Sequence, residues 1–472
     1  MRAILRAVGT ARRFWRPSGV SDDRIEEADA LIAFGASNVW SYRDRVHLSL
    51  QATRLSNKHI ARCVKTAGDG HARVLPVAGI FGANASGKST ALKAMADMAH
   101  LVRQSFRQAA PGGGVQRVPF LLDGESDRKP SSYQVEVVVD GVAWLYGFDV
   151  DSERVLKEYA YHYPKRRQRL LFERDGKEVR FGSPLRPIGR AVVPLLVENA
   201  LLLSIMGKMD EGLLSPLSRW FDSNLMLADS ENRQRRSAFT AILAETSDSR
   251  RRILDLIRAA DLGVTGLDLV MPDADVLERL RRALRMFRRE LGEDSAEPTE
   301  DALLNEALQA VQLSHRIADG NRSLEPQYES LGTQVWVSLV GTLLRALDRG
   351  RVLLIDELDA SLHPLLVDRL VGLFQNPRTN PRCAQLIFNS HDVALLDSSS
   401  QDAAPLRLGR DQIWLTEKDE RGSTALYSLA DFRTRKGEAI ARRYLRGRYG
   451  AIPELDPSSF HRAARASDDA PV

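Results

Sequence analysis

The stretch "GANASGKST", residues 82–90, constrains the fold of this chain more than any other feature. Its two glycines, Gly82 and Gly87, are followed at once by a lysine and a serine. A short apolar run, "VLPVAGIF", precedes the stretch, and a segment with apolar residues at helical spacing follows it. The sequence therefore predicts a buried strand, a tight loop and a helix whose first N–H groups are free to surround an anion.

The residue types in this loop suit the phosphates of a nucleotide and a magnesium ion. Lys88 is predicted to neutralise the β and γ oxygens, and the Ser89 hydroxyl to bind Mg²⁺. We therefore expect ATP and Mg²⁺ as cofactors, and a fortuitous glycine loop is the alternative. The predicted binding residues are Gly82, Asn84, Ala85, Ser86, Gly87, Lys88, Ser89 and Thr90.

A second group of polar residues directly follows an apolar run in "RVLLIDELDASLHP". Asp356 and Glu357 come directly after four apolar residues, at the end of a strand where an open α/β sheet binds its ligand. Because neighbouring residues on a strand point to opposite sides, the pair can divide its work. Asp356 is predicted to bind the metal, and Glu357 to polarise the attacking water. The alternative is an acidic strand terminus without function.

Histidines give a weaker signal. His391 ends the predicted strand "LIFNSHD", just downstream of the acidic pair, so a contact with the γ-phosphate is favoured over a structural role. His363 is expected to shape the loop after Asp359. His315 has no partner in its local sequence, and a structural role is expected for it.

The order of these motifs, with the turn "ESLGTQ" at residues 329–334, resembles the ABC-type ATPases. Their signature usually reads Leu-Ser-Gly-Gly-Gln, and Leu331 departs from it as in soluble, non-transporter members. The resemblance implies that Ser330 and Gly332 act in trans, on the nucleotide of a second subunit, and that Asp359 lies along the same interface. It thus implies a homodimer or higher homo-oligomer that sandwiches two ATP molecules. A coincidental turn is the alternative.

A closer resemblance covers the chain from about Leu31 to Pro453. It rests on "SNVWSYRDRVHLSL", "LIDELDASLHPLL", "NPRCAQLIFNSHD" and "GRYGAIP". These phrases are similar to the AAA-family ATP-binding proteins of bacterial abortive infection, which include the AbiLi and Rlo types and the ATPase of the PARIS anti-phage system. The resemblance implies a separate effector, often a Toprim-like nuclease, because too little sequence follows the motor to hold one. Asn389 departs from the threonine that relatives often carry.

The expected fold class is α/β: a P-loop ABC-type ATPase with a mixed sheet, an antiparallel β subdomain and a helical insertion. Alternating strand-like and helical segments divide the chain. The expected parts are a flexible basic arm (1–29), the N-terminal part of the ATPase domain with the phosphate loop and β subdomain (30–190), the helical insertion (191–324), the C-terminal part with the signature, acidic pair and histidine (325–455), and a disordered tail (456–472).

Composition restricts the setting of the protein. No apolar run is long enough to span a bilayer, so we expect a soluble protein with no membrane partner. Two isolated cysteines, Cys63 and Cys383, favour a reducing, cytoplasmic environment. The net charge of +5 excludes a general polycation. Basic clusters at residues 165–169 and on the helix expected from Val276 leave DNA open as a ligand, although solvated faces explain such clusters more often.

Three classes of function remain open. The first is a defence ATPase that senses infection and controls a separate effector. The second is a DNA repair or recombination ATPase of the RecF or structural-maintenance type, for which the sequence lacks sustained heptads. The third is a nucleotide-dependent scaffold that hydrolyses ATP slowly, and the presence of Glu357 argues against it.

Overall fold

The computed structural model describes residues 25–56, 60–67, 70–110, 112–165, 167–209, 212–270, 310–396, 408–433 and 439–464. Most of the expected basic arm, the helix expected from Val276 and the end of the expected tail lie outside these residues. The described strands in chain order are β1 (Ile25–Glu26), β2 (Ala30–Ser37), β3 (Val46–Ser49), β4 (Arg62–Thr66), β5 (Gly70–Val74), β6 (Val77–Gly82), β7 (Ser131–Val139), β8 (Val142–Val150), β9 (Val155–His162), β10 (Arg169–Asp175), β11 (Glu178–Phe181), β12 (Leu225–Ala228), β13 (Val264–Val270), β14 (Ala310–Ile317), β15 (Gly320–Leu324), β16 (Val352–Ile355), β17 (Gln385–Asn389), β18 (Ile413–Lys418) and β19 (Thr424–Ser428).

The helices in the described part of the chain are α1 (Lys88–Gln104), α2 (Arg186–Val192), α3 (Leu202–Met206), α4 (Ser215–Ser223), α5 (Arg233–Leu243), α6 (Ser247–Ala259), α7 (Leu331–Arg349), α8 (Pro364–Gln375), α9 (Ile440–Leu445) and α10 (Pro457–Ala464). Within these residues no helix is long and apolar enough to cross a membrane.

A mixed sheet forms the centre of the molecule, in the order β12-β16-β17-β6-β18-β19. Neighbouring strands from β12 to β18 pair in parallel, and β19 pairs antiparallel with β18. Every residue of β6, β16 and β17 is buried. Such continuous apolar strands need cover on both faces of the sheet. The carboxyl ends of β6, β16 and β17 consequently meet at one edge, which confirms the expected mixed α/β sheet.

The expected antiparallel β subdomain is a second sheet, in the order β11-β10-β9-β8-β7-β2-β3. Its β7–β8 hairpin turns at Asp140 and Gly141, which both have positive φ (48° and 70°) as a tight two-residue hairpin turn requires. Apolar side chains of β2, β7 and β8 share one buried cluster with those of α1. The helix that follows the phosphate loop is thus held by the β subdomain.

The region expected to be a helical insertion, 191–324, is not helical throughout. It holds α3 to α6, but β12 joins the central sheet beside β16, and β13, β14 and β15 form a separate antiparallel sheet. The strand β12 has only four residues, "LMLA". Because the sequence on both sides has a helical pattern, so short a strand is not recognisable from the sequence. After a bulge between Val264 and Gly266, less exposed and more exposed residues alternate along β13 as far as Val270, as in a half-buried strand.

The expected disordered tail also differs from the structure at its start. Residues 457–464 form α10, whose side chains are all exposed. Asp456 accepts a hydrogen bond from the Ser458 N–H at 2.9 Å, and Pro457 occupies the first helical turn. A carboxylate cap followed by proline is a strong local start signal for a helix.

A buried ion pair ties the β subdomain to the segment that leads into α3. Glu158 accepts hydrogen bonds from the N–H groups of Leu202 (2.6 Å) and Leu203 (2.9 Å), and lies 3.8 Å from the Arg174 guanidinium. Arg174 also donates to the Ala200 carbonyl at 2.6 Å. Burial raises the pKa of Glu158, and the positive charge of Arg174 opposes that change. Each charge thus depends on the other.

We expect the substitution Glu158→Ala to lower the free energy of unfolding by about 3–5 kcal/mol, because it leaves the Arg174 charge buried without its partner. Chemical denaturation followed by circular dichroism measures the change. The matched control is Glu125→Ala, which removes an exposed partner of Lys129 and should leave the unfolding curve unchanged. Equal stability of the two variants would contradict the assignment.

Candidate nucleotide-binding site

The predicted phosphate loop connects β6 to α1 at the carboxyl edge of the central sheet. All eight predicted residues, from Gly82 to Thr90, lie in this loop or in the first turn of α1. Ala85 and Gly87 have left-handed backbones, with φ of 60° and 97°. The loop therefore curls directly before the N-terminus of α1. A curled loop of N–H groups beside the positive end of a helix is an arrangement that binds phosphate.

Side chains that are distant in sequence form hydrogen bonds with the loop and with the first turn of α1. Ser86 Oγ lies 2.7 Å from Thr416 Oγ1, and Thr424 Oγ1 donates to the Ser86 carbonyl at 2.9 Å. Thr424 Oγ1 also lies 2.8 Å from Ser41 Oγ, whose hydroxyl can donate to it, and Ser41 Oγ lies 2.9 Å from Thr90 Oγ1. Sequence reasoning did not find these supports, because no local pattern shows that β18 lies beside β6 with β19 on its other side.

The glycines of the loop are required by these close contacts. A Cβ atom at Gly82 would lie 2.4 Å from Thr416 Oγ1, and one at Gly87 would lie 2.4 Å from Thr424 Oγ1. Neither position has room for a side chain. The loop can consequently adopt this shape only with glycine at both ends.

Lys88 folds back over the loop that it follows. Its Nζ donates to the carbonyls of Gly82 (3.0 Å) and Ala83 (2.9 Å). Burial lowers the pKa of Lys88, while the nearby carboxylates of Glu357, Asp359 and Asp356 act to raise it. The ammonium thus lies between the loop and the acidic edge, where a bound phosphate would meet it.

The acidic pair follows β16, as the sequence predicts, and reaches the loop through Asn389. The Asn389 Nδ2 atom donates to Ser89 Oγ at 3.2 Å and to Asp356 Oδ1, and the Glu357 N–H donates to Asn389 Oδ1. Glu357 is exposed and has a left-handed backbone, with φ of 55°. Ser89 and Asp356 are therefore brought together around one buried amide, a role that the sequence analysis did not predict for Asn389.

The oxygen atoms of Ser89 and Asp356 fit Mg²⁺, which prefers one or two protein oxygens together with water and substrate phosphates. In the described part of the chain, no three His, Cys, Asp or Glu side chains gather closely enough to hold a metal by themselves. A metal at this edge would thus depend on the phosphates for its remaining ligands.

His391 lies two residues beyond the end of β17, rather than at the strand end as predicted, and its side chain is exposed. Its N–H lies 3.2 Å from each carboxylate oxygen of Asp359. Asp359 thereby connects the loop after the acidic pair to the loop that carries His391. His363 accepts the Leu365 N–H on its Nδ1 at 3.2 Å and caps α8, in agreement with the loop-shaping role expected for it.

The signature turn lies at the start of α7, on the surface. Ser330 is exposed and caps the helix by accepting the Thr333 N–H at 3.1 Å. Gly332 packs against the loop after Asp359, where an added Cβ would lie 2.6 Å from the Ser361 carbonyl oxygen. As far as the described residues show, neither Ser330 nor Gly332 forms a hydrogen bond with residues 82–90 of its own chain.

We expect Gly87→Ala to weaken ATP binding at least about tenfold, because the added methyl group would displace Thr424 and distort the loop. Isothermal titration calorimetry with ATP measures the affinity. Gly176→Ala is the matched control, since Gly176 also has a positive φ (57°) but has nothing within 4 Å of its added Cβ. Wild-type affinity in a folded Gly87→Ala variant would show that these contacts do not shape the site.

Solved structures that are similar to this chain include two SMC head domains and one recombination mediator. The SMC head domain from Thermotoga maritima shares 11% identity and a TM-score of 0.35, covering 84% of this chain and 98% of that chain. An SMC head domain from Pyrococcus furiosus, bound to the C-terminal domain of ScpA, shares 11% identity and a TM-score of 0.35 over 85% and 96%. The recombination mediator RecF with ATP shares 12% identity and a TM-score of 0.32 over 86% and 100%.

At these identities and scores the likeness indicates nothing about function. Curated protein sequences provide no significant match. A family model described as "AAA domain, putative AbiEii toxin, Type IV TA system" matches residues 77–397, more than half of the chain. That range runs from β6 to the residues just after His391 and so includes the phosphate loop, the signature turn and the acidic pair. The chain belongs to this family of AAA domains.

Proposed function

We propose that this protein is an ATPase that binds and hydrolyses ATP between two copies of the chain and, in a bacterial anti-phage system, controls a separate effector. The observation that carries the ATPase is the meeting of Lys88, Ser89, Asp356 and Glu357 at one edge of the sheet. Two segments far apart in sequence, the start of α1 and the loop after β16, converge there, as a phosphoryl-transfer site requires.

Each side chain has a distinct role in this proposal. The loop N–H groups hold the phosphates, and Lys88 leaves the Gly82 and Ala83 carbonyls to contact the β and γ oxygens. Ser89 and Asp356 hold Mg²⁺, which when bound supplies positive charge to the phosphates. Glu357 is exposed at the same edge and polarises the attacking water. His391 contacts the γ-phosphate.

The proposed dimer is supported by the surface around the signature turn. Ser330 is exposed, and so are two large apolar residues close to it in sequence, Tyr328 (71%) and Leu331 (51%). Leu365 (70%), in the first turn of α8, is also exposed. Exposed apolar groups beside polar ones are typical of a surface that meets a partner. In the proposed sandwich, Ser330 and Gly332 contact the ATP of the other subunit, and Asp359 lies between the two sites.

Control of an effector needs a link from the ATP site to another surface. The separate sheet β13-β14-β15 offers one, because His315 on β14 lies 2.7 Å from the carboxylate of Glu329, next to Ser330. A partner bound to this sheet would thereby act on the signature turn. The description of the family names a putative toxin of a type IV TA system, which supports a defence role. For the separate effector we propose a Toprim-like nuclease.

We expect Glu357→Gln to lower kcat by about 10²–10⁴-fold while ATP still binds, because the general base is lost and the phosphate loop is unchanged. With ATP bound and not hydrolysed, the dimer should accumulate. Malachite-green phosphate release measures the rate, and mass photometry measures the oligomer with and without ATP.

Ser330→Arg in the Glu357→Gln background should abolish that dimer, since a bulky cation would fill the contact with the partner's nucleotide. Ser183→Arg, also at an exposed serine but in the β subdomain, is the control and should dimerise normally. A dimer that survives Ser330→Arg, or a monomer indifferent to ATP, would remove the sandwich.

The effector is tested by co-expression with the product of the adjacent gene. We expect the ATP-bound Glu357→Gln dimer to co-purify with this product, and its nuclease activity to follow the ATP state. Tight DNA binding by the ATPase alone, with no response to the neighbouring product, would favour a repair or recombination ATPase. ATP binding with no measurable hydrolysis by wild type would favour a scaffold.

A further inference from the structure

Asn389 makes more contacts with the proposed ATPase site than any role assigned to it explains. It is the last residue of β17 and is completely buried. Both of its donor hydrogens and its carbonyl oxygen are engaged, with Ser89 Oγ, Asp356 Oδ1 and the Glu357 N–H respectively. A primary amide donates two hydrogen bonds and accepts others at the same time, which neither a carboxylate nor a hydroxyl group can do.

The order of the strands explains why this position reaches all three residues. In the central sheet β17 lies between β6, which leads into the phosphate loop, and β16, which ends at the acidic pair. The residue at the carboxyl end of the middle strand is thus the one that lies next to both flanking loops. The β17 backbone adds to this link, because the Asn389 carbonyl accepts the Leu358 N–H at 3.0 Å.

The backbone of Glu357 gives a further reason for this link. A left-handed conformation is unfavourable for a residue with a side chain, so it persists only where neighbouring groups hold it. The hydrogen bond from the Glu357 N–H to Asn389 Oδ1 is such a restraint. The direction of the Glu357 carboxylate is consequently tied to the same amide that holds Ser89 and Asp356.

We propose that Asn389 is a positioning residue for Mg²⁺ and for the general base. Its Nδ2 atom directs Ser89 Oγ and Asp356 Oδ1 towards one metal position, and its Oδ1 atom holds the backbone of Glu357. This inference rests on the proposed ATPase function and adds to it the residue that couples metal binding to hydrolysis.

The test compares two substitutions of Asn389. Asn389→Ala removes both the Nδ2 donor and the Oδ1 acceptor. It should raise the Mg²⁺ concentration for half-maximal ATP binding at least about tenfold and lower kcat about 10–100-fold. Binding of ADP in EDTA should stay near wild type, because the phosphate loop itself is unchanged. Titration calorimetry with ATP at fixed Mg²⁺ concentrations, and with ADP in EDTA, gives these affinities.

Asn389→Asp keeps an oxygen for the Glu357 N–H but replaces the donor with a negative charge beside Asp356. ATP affinity in EDTA should fall at least about tenfold more than ATP affinity in saturating Mg²⁺, since the metal would neutralise the added charge. Its kcat in saturating Mg²⁺ should exceed that of Asn389→Ala. This variant also provides the test if Asn389→Ala does not fold.

Gln385→Leu is the control, because Gln385 is a buried amide at the other end of β17. Its Nε2 atom donates to the carbonyls of Leu31 (2.9 Å) and Leu75 (3.2 Å), and its Oε1 accepts the Leu31 N–H at 2.7 Å. This variant should lower the melting temperature and leave the Mg²⁺ dependence unchanged.

Folded Asn389 variants with wild-type Mg²⁺ dependence and kcat would overturn the inference and leave the ATPase function standing. A shift in Mg²⁺ dependence as large in Gln385→Leu would also overturn it. If the wild-type protein bound no ATP, the proposed function itself would fail, and this inference with it.

Discussion

The contact between the phosphate loop and the antiparallel pair β18–β19 is the constraint on which the rest of the site depends. Thr416 and Thr424 occupy the space that side chains at Gly82 and Gly87 would need. Hydrogen bonds join Ser86 of the loop to Thr416 and Thr424, which lie 330 and 338 residues further along the chain. The loop shape is thus a property of the assembled sheet, and the glycines permit that shape without determining it alone.

Charge at the acidic edge gives the site a second constraint. Three carboxylates act on the single ammonium of Lys88, so the surroundings of that group are net negative before any ligand binds. A nucleotide adds further negative charge to the same place. Binding of ATP without a divalent cation would therefore be opposed by repulsion, so the oxygen atoms proposed to hold that cation would also contribute to the affinity for ATP.

Local patterns in the sequence were sufficient for the strand, loop and helix of residues 77–104, and for the positions of Asp356 and Glu357 at a strand end. The hairpin at Asp140 and Gly141 was also predictable, because two positive φ angles suit those residue types. The supports from Ser41, Thr416 and Thr424 were not predictable, because they depend on which strands are neighbours. Asn389 was visible only as a departure from relatives. The strand β12 was hidden by its shortness, and α10 by the polar composition around its cap.

The position of β18 and β19 has a consequence for how the protein is made. Thr424 contacts the phosphate loop beside Gly87 and is synthesised long after it. A nascent chain that has reached the end of α1 therefore still lacks this contact. At roughly 5–20 residues per second, the ribosome needs about 15–65 s more to add Thr424. During that interval the growing polypeptide should have little affinity for the ATP around it, and nucleotide capture should be among the last events of its biosynthesis.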